Sequence, residues 1–263
     1  MRKDAVAITV SSLVMGVFGA FLRWLMLRTT YDAETGLCAR SAALYWIYVV
    51  YSFLALAAVL AFTLVWLRRT ALPSTAAEAL YASTPLQAVL GWVCFAAFAF
   101  CGVRMMFSAG DAGSRFLTAL QRLRGVGMIL GGAGLPFFTS RKEGEGNAMG
   151  RGASLLASVG FGVWLACTYL SNSQNPVRWS YAPLILAIVA DTLVCYHVMC
   201  WYYGEPKPRA AVATLQLCVF LSLCVLPDSL GFPLTAALAL FALYAMALLY
   251  GVISNCPAPG EKK

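Results

Sequence analysis

The stretch ALYWIYVVYSFLALAAVLAFTLVWL, Ala43 to Leu67, runs for 25 residues without a charged side chain. At 1.5 Å of helix rise per residue, that length crosses the roughly 30 Å hydrocarbon layer of a bilayer. Seven more stretches read in the same way. The predicted spans lie near 5–27, 43–67, 86–108, 116–139, 152–171, 179–203, 210–227 and 233–254. A barrel would need short alternating strands, so continuous apolar runs mean helix. The expected fold class is all-α, a polytopic transmembrane bundle of about eight spans forming a single integral membrane domain over 1–263.

The bulk composition agrees. Hydrophobic residues make up 61% and charged residues 11%, with mean hydropathy +0.76, whereas a soluble domain carries about 25% charge. No stretch between the runs approaches the roughly 50 residues that a soluble core needs. A net charge of +8 would point to nucleic acid in a soluble chain. Here the basic residues sit in short inter-helix loops, which is the signal that orients membrane proteins. Nucleic acid is therefore not expected as a partner; the lipid bilayer is, with contact to anionic headgroups as a by-product.

The fourth run tests the span count, because Gln121, Arg122 and Arg124 interrupt it and Gly125, Gly127, Gly131, Gly132 and Gly134 loosen it. Charge bias decides for it. With eight spans and the N-terminus inside, the inner side holds Arg2, Lys3, Arg68, Arg69, Arg141, Lys142, Arg151, Lys207, Arg209, Lys262 and Lys263. The outer loops hold Arg28, Arg40, Arg115 and Arg178, giving eleven against four. Dropping the fourth span moves Lys207, Arg209, Lys262 and Lys263 outside and removes most of that bias. Both termini are thus expected in the cytoplasm.

Smaller signals fit this register. Met1-Arg2-Lys3 before a long apolar run reads as an uncleaved first span, since no Ala-x-Ala site follows. Trp179 and Tyr181 open the sixth span, and Trp201, Tyr202 and Tyr203 close it, as aromatic belts do. The Ala-rich loop 68–85, with Pro73 and Pro85, has the composition of a short surface helix. Four plus four spans invite a parallel duplication, but no residue-level register supports one. Seven of the nine cysteines fall inside apolar runs, while Cys38 and Cys256 fall on opposite sides, so a disulfide framework is not expected.

Polar residues in lipid carry the functional argument. Asp191 follows Trp179 by twelve residues, roughly 18 Å along a helix and so near mid-membrane. An ionised carboxylate there costs about 2.5–3.5 kcal/mol or more. It must face a cavity, a cation or a hydrogen-bond partner, either as a proton- or cation-coupling group or as a tie between helices. Arg23, Arg104, Arg122 and Arg124 are expected in one outer layer. There their guanidinium groups would either hold an anion, a carboxylate or a lipid phosphate, or snorkel to headgroups and pair with Asp32, Glu34 and Asp111.

His197, the only histidine, lies within Cys195-Tyr196-His197-Val198-Met199-Cys200. On a helix Cys195 points roughly 160° away from His197, so these residues make no converging ligand set and no metal is expected. His-Glu-x-x-His, Gly-x-Ser-x-Gly, P-loop and dinucleotide fingerprints are all missing. Asp191 has no second intramembrane carboxylate for acid–base work. The reading therefore leans away from an enzyme and expects no cofactor.

The first outer loop reads Thr29-Thr30-Tyr31-Asp32-Ala33-Glu34-Thr35-Gly36-Leu37 directly after Leu22-Arg23-Trp24-Leu25. A later outer loop reads Asn175-Pro176-Val177, with Tyr181 four residues on. Together these resemble a group of multispan membrane proteins from clostridial-type bacteria, in which an acidic residue commonly stands where this chain has Asn175. The resemblance implies a bacterial cytoplasmic membrane and carries no activity. Physically, Asp32, Glu34 and Gly36 read as a braced turn, with Gly36 permitting a positive φ. The expected function is binding or transport of a small solute, ion or lipid, an anionic one at the arginine layer. The alternative is a non-transporting sensor, assembly factor or regulatory subunit. Oligomeric state is not readable.

Overall fold

The computed structural model describes residues 3–32, 38–39, 42–67, 73, 75–81, 85–108, 114–139, 148–173 and 181–256. Among them, the regular elements are helical. They are α1 (Lys3–Thr29), α2 (Ala43–Leu67), α3 (Ala76–Ala79), α4 (Leu86–Ser108), α5 (Arg115–Gly134), α6 (Ala148–Asn172), α7 (Ala182–Tyr202), α8 (Pro208–Cys224) and α9 (Phe232–Ser254). A 3-10 turn, Leu135–Phe137, follows α5. Length and composition qualify six of these to cross a membrane: α1, α2, α4, α6, α7 and α9. The protein is thus an integral, multi-pass membrane protein in contact with the bilayer.

The two other long helices fall short for different reasons. The α8 helix is apolar but only 17 residues long. The α5 helix has the length, 20 residues, but carries Gln121, Arg122 and Arg124. Both nevertheless sit inside the bundle, α5 between α4 and α6 and α8 between α1, α7 and α9.

Glycine makes the α5 seat possible. A Cβ on Gly125 would lie 2.5 Å from the Gly102 carbonyl of α4, and one on Gly127 would lie 2.8 Å from the Gly160 carbonyl of α6. Small residues on both faces let three backbones approach closely, which gains dispersion contact that lipid cannot match. The contacts run from Gly102–Gly125 to Gly91–Pro136, so α4 and α5 are antiparallel. The half of α5 from Gly125 onward meets protein, whereas Phe116 and Leu123 in its first half are exposed.

The centre is aromatic. Phe98 of α4 lies 5.2 Å from Phe161 and 5.6 Å from Trp164 of α6, and 5.9 Å from Phe241 of α9, all edge to face. Around it, polar side chains tie helices by reaching backbone carbonyls. Gln87 Nε2 donates to Ala247 O at 2.8 Å, Tyr244 Oη to Leu135 O at 2.7 Å and Tyr51 Oη to Met15 O at 2.6 Å. Within a membrane such ties contribute about 0.6–2 kcal/mol each.

The short helix α3 falls within the loop expected to hold one. Its Glu78 is exposed, while Ala79 and the following Leu80 are buried, and Asn255 Nδ2 donates to Ala79 O at 3.2 Å and Tyr81 O at 2.9 Å. All nine cysteines are free and buried.

Candidate functional site

Asp191 stands on the face of α7 that meets α8 and is 0% exposed. Its Oδ1 accepts from Cys218 Sγ and from Ser222 Oγ, each at 3.1 Å. Cys218 and Ser222 are one turn apart on α8, so both reach the same oxygen. Its Oδ2 has no hydrogen-bond partner among the described residues. Cys195 lies on the same face one turn along α7, and Cys94 of α4 also lies near the carboxyl group. The surroundings are thus thiols, a hydroxyl and apolar groups. Sequence reading located the carboxyl group but not its partners, because Cys218 and Ser222 lie in an unremarkable apolar run.

The four arginines lie toward one end of the bundle but not at one place. Arg23, near the end of α1, is 1% exposed. Its Nε donates to Asp228 Oδ1 at 2.9 Å and its second guanidinium nitrogen, Nη2, to Oδ2 at 3.3 Å. Asp228 belongs to the turn between α8 and α9. The Tyr48 ring of α2 lies 5.7 Å from the same guanidinium, a cation–π arrangement. Arg23 is therefore a clasp joining α1 to the α8–α9 turn. Sequence reading missed Asp228 as its partner; the available signal was a single acid in a very short loop.

Arg104, Arg122 and Arg124 make a second group on adjacent helices. Because Gly102 touches Gly125 across the antiparallel pair, the three residues stand within about 3 Å of one another in depth, at 1.5 Å per residue. Arg104 and Arg122 are exposed and Arg124 is half-buried. None of the three pairs with a carboxylate among the described residues, and Arg124 Nε has no hydrogen-bond partner among them. Cys167 of α6 stands beside Arg124. Thr168, the next residue, holds a fully buried hydroxyl that likewise has no partner among the described residues. The three positive charges thus share a depth, with Arg122 and Arg124 pointing roughly 160° apart on α5. That composition favours an anion.

The loop between α1 and α2 is only partly described. Tyr31 and Cys38 form an isolated antiparallel bridge, and Ala39 N donates to Thr30 O at 2.9 Å. Burial pushes the Cys38 thiol above its ordinary pKa, with Arg23 opposing, so the thiol stays protonated and unreactive. Asp32 is exposed at the edge of this bridge. Glu34 and Gly36 lie outside the described residues, as does Asp111.

His197 is buried and its Nδ1 has no partner among the described residues. Among those residues no three His, Cys, Asp or Glu side chains converge as metal ligands. No family model, curated protein or solved structure matches the chain.

Proposed function

We propose that this is an eight-span protein of a bacterial cytoplasmic membrane, with both termini inside, that binds an anionic group at the α4–α5 corner. The eleven-to-four distribution of basic residues supports the orientation. The antiparallel seating of α5 and the central place of α8 support the span count. The observation carrying the anion reading is the shared depth of Arg104, Arg122 and Arg124 without a carboxylate partner among the described residues. A guanidinium group at that level suits a phosphate or carboxylate by bidentate hydrogen bonds, and Arg122 and Arg124, pointing roughly 160° apart, offer that chemistry on two sides of α5.

The ligand is a lipid phosphate or a small anionic solute. Arginine modification with phenylglyoxal tests the site, read by peptide mass spectrometry of the purified full-length protein. Inorganic phosphate or phosphatidylglycerol should protect Arg104, Arg122 and Arg124 while leaving Arg28 reactive. Arg28 is exposed and lies against Trp24, 4.8 Å from its ring. Equal protection of all four, or of none, contradicts the reading.

Transport extends this reading, with Asp191 as the coupling carboxyl group. Its full enclosure favours the second reading, a sensor, assembly factor or regulatory subunit in which Asp191 ties α7 to α8. Proteoliposomes containing a pH-sensitive dye separate the two. Proton flux that requires the protein and disappears in Asp191→Asn supports coupling, whereas absence of flux supports the helix tie.

A further inference from the structure

A groove of about 510 Å³ opens on the flank of the bundle between α2, α7 and α8. Its walls include Tyr48, Phe53 and Leu56 of α2, Leu186 of α7, and Leu217 and Cys224 of α8. The cause is the loose attachment of α2, which packs on α1 and α8 and leaves a gap toward α7. We infer that this groove holds an acyl chain of a bilayer phospholipid, from the leaflet on the Asp228 side.

Three observations converge on that occupant. First, the groove is continuous with surface that already faces lipid: Phe53 is 68% exposed and Leu186 53%, on helices apolar enough to span. Second, its lining is apolar along its length: Phe53 and Leu56 of α2, Leu186 of α7 and Leu217 of α8 line a groove that runs about 12 Å along α2 at 1.5 Å per residue, a surface that suits an unbranched hydrocarbon chain. Third, one end of the groove adjoins buried charge. Tyr48 and Cys224 close the groove beside the Arg23–Asp228 clasp, and the other end is lined by Leu56 and Leu217. A chain lying there places its ester and headgroup at the clasp end and its methyl end toward mid-membrane. The volume is also within the roughly 300–1,000 Å³ range of small-molecule sites.

Photo-crosslinking maps the occupant directly. The full-length protein is placed in vesicles of phosphatidylcholine and phosphatidylglycerol containing a phosphatidylcholine with a diazirine-bearing acyl chain, and adducts are located by mass spectrometry. Adducts should concentrate several-fold on Phe53, Leu186 and Leu217 over Phe100 and Phe107 of α4, which are 61% and 85% exposed. Leu217→Trp, which fills the groove, should remove that excess. Should the variant misfold, Phe53→Ala, which widens the groove, serves instead and should retain the excess. A mutant lacking Arg104, Arg122 and Arg124 should still label the groove, so failure of the anion reading leaves this result intact. Uniform labelling around the bundle, or groove residues crosslinked between two copies, overturns the inference.

Discussion

Arg23 and Asp228, 205 positions apart, close a bidentate ion pair at 2.9 and 3.3 Å in the buried interior of the Asp228-side end of the bundle. The pair fastens the first helix to the turn before the last. Removing one member leaves an uncompensated buried charge, which costs about 3–5 kcal/mol, whereas replacing both by apolar groups is often neutral. Arg23→Met and Asp228→Leu should each sharply lower the thermal unfolding temperature in detergent. The double variant should recover most of the loss. Additive losses would mean that the two residues act separately.

Asp191→Asn keeps an oxygen for Cys218 and Ser222 and should fold with near-normal stability. Asp191→Leu removes the acceptor from both donors and should cost about 1–3 kcal/mol. Thermal unfolding of both variants in one detergent checks this. A leucine variant as stable as the asparagine one would remove the helix-tie role.

These two residues show what the sequence could and could not disclose. Asp191 was visible because a carboxyl group in an apolar run is expensive wherever the chain folds. Asp228 was not, because an acid in a loop has no such cost until tertiary contact buries it. The long apolar runs disclosed the spans by the same logic of solvation. Arg104, Arg122 and Arg124 read as one depth in the sequence and share one in the α4–α5 register. Arg23 separates from them because depth is legible in sequence and lateral position is not. Likewise α5, interrupted by charge, becomes intelligible only through the Gly102–Gly125 approach.

That approach makes a contrast among glycines. Gly125→Ala pushes a methyl group to 2.5 Å from the Gly102 carbonyl and should cost about 1–3 kcal/mol through overpacking. Gly162→Ala on α6 meets nothing within 4 Å and should gain about 0.4–1 kcal/mol by restricting the unfolded chain. Unfolding temperatures moving in opposite directions are the expected outcome. A neutral Gly125→Ala would mean that α4 and α5 pack less closely.

All nine thiols are buried. An impermeant maleimide should therefore add slowly to the folded protein, at far fewer than nine sites, and should reach all nine after denaturation in dodecyl sulfate. Intact-mass measurement counts the adducts. Rapid modification of the folded protein, at Cys38 above all, would place that thiol in water rather than in the buried position seen here.

The anion-binding corner is tested most directly by lipid retention. Protein released from vesicles of equal phosphatidylglycerol and phosphatidylcholine is weighed by native mass spectrometry, beside a variant carrying Arg104→Gln, Arg122→Gln and Arg124→Gln. The wild type should show several-fold preference for phosphatidylglycerol, and the variant should lose it. Competition by inorganic phosphate would mark the ligand as a small anion, and persistence in its presence would mark a lipid headgroup. Equal retention of the two lipids, or a preference that survives the triple substitution, would contradict the account.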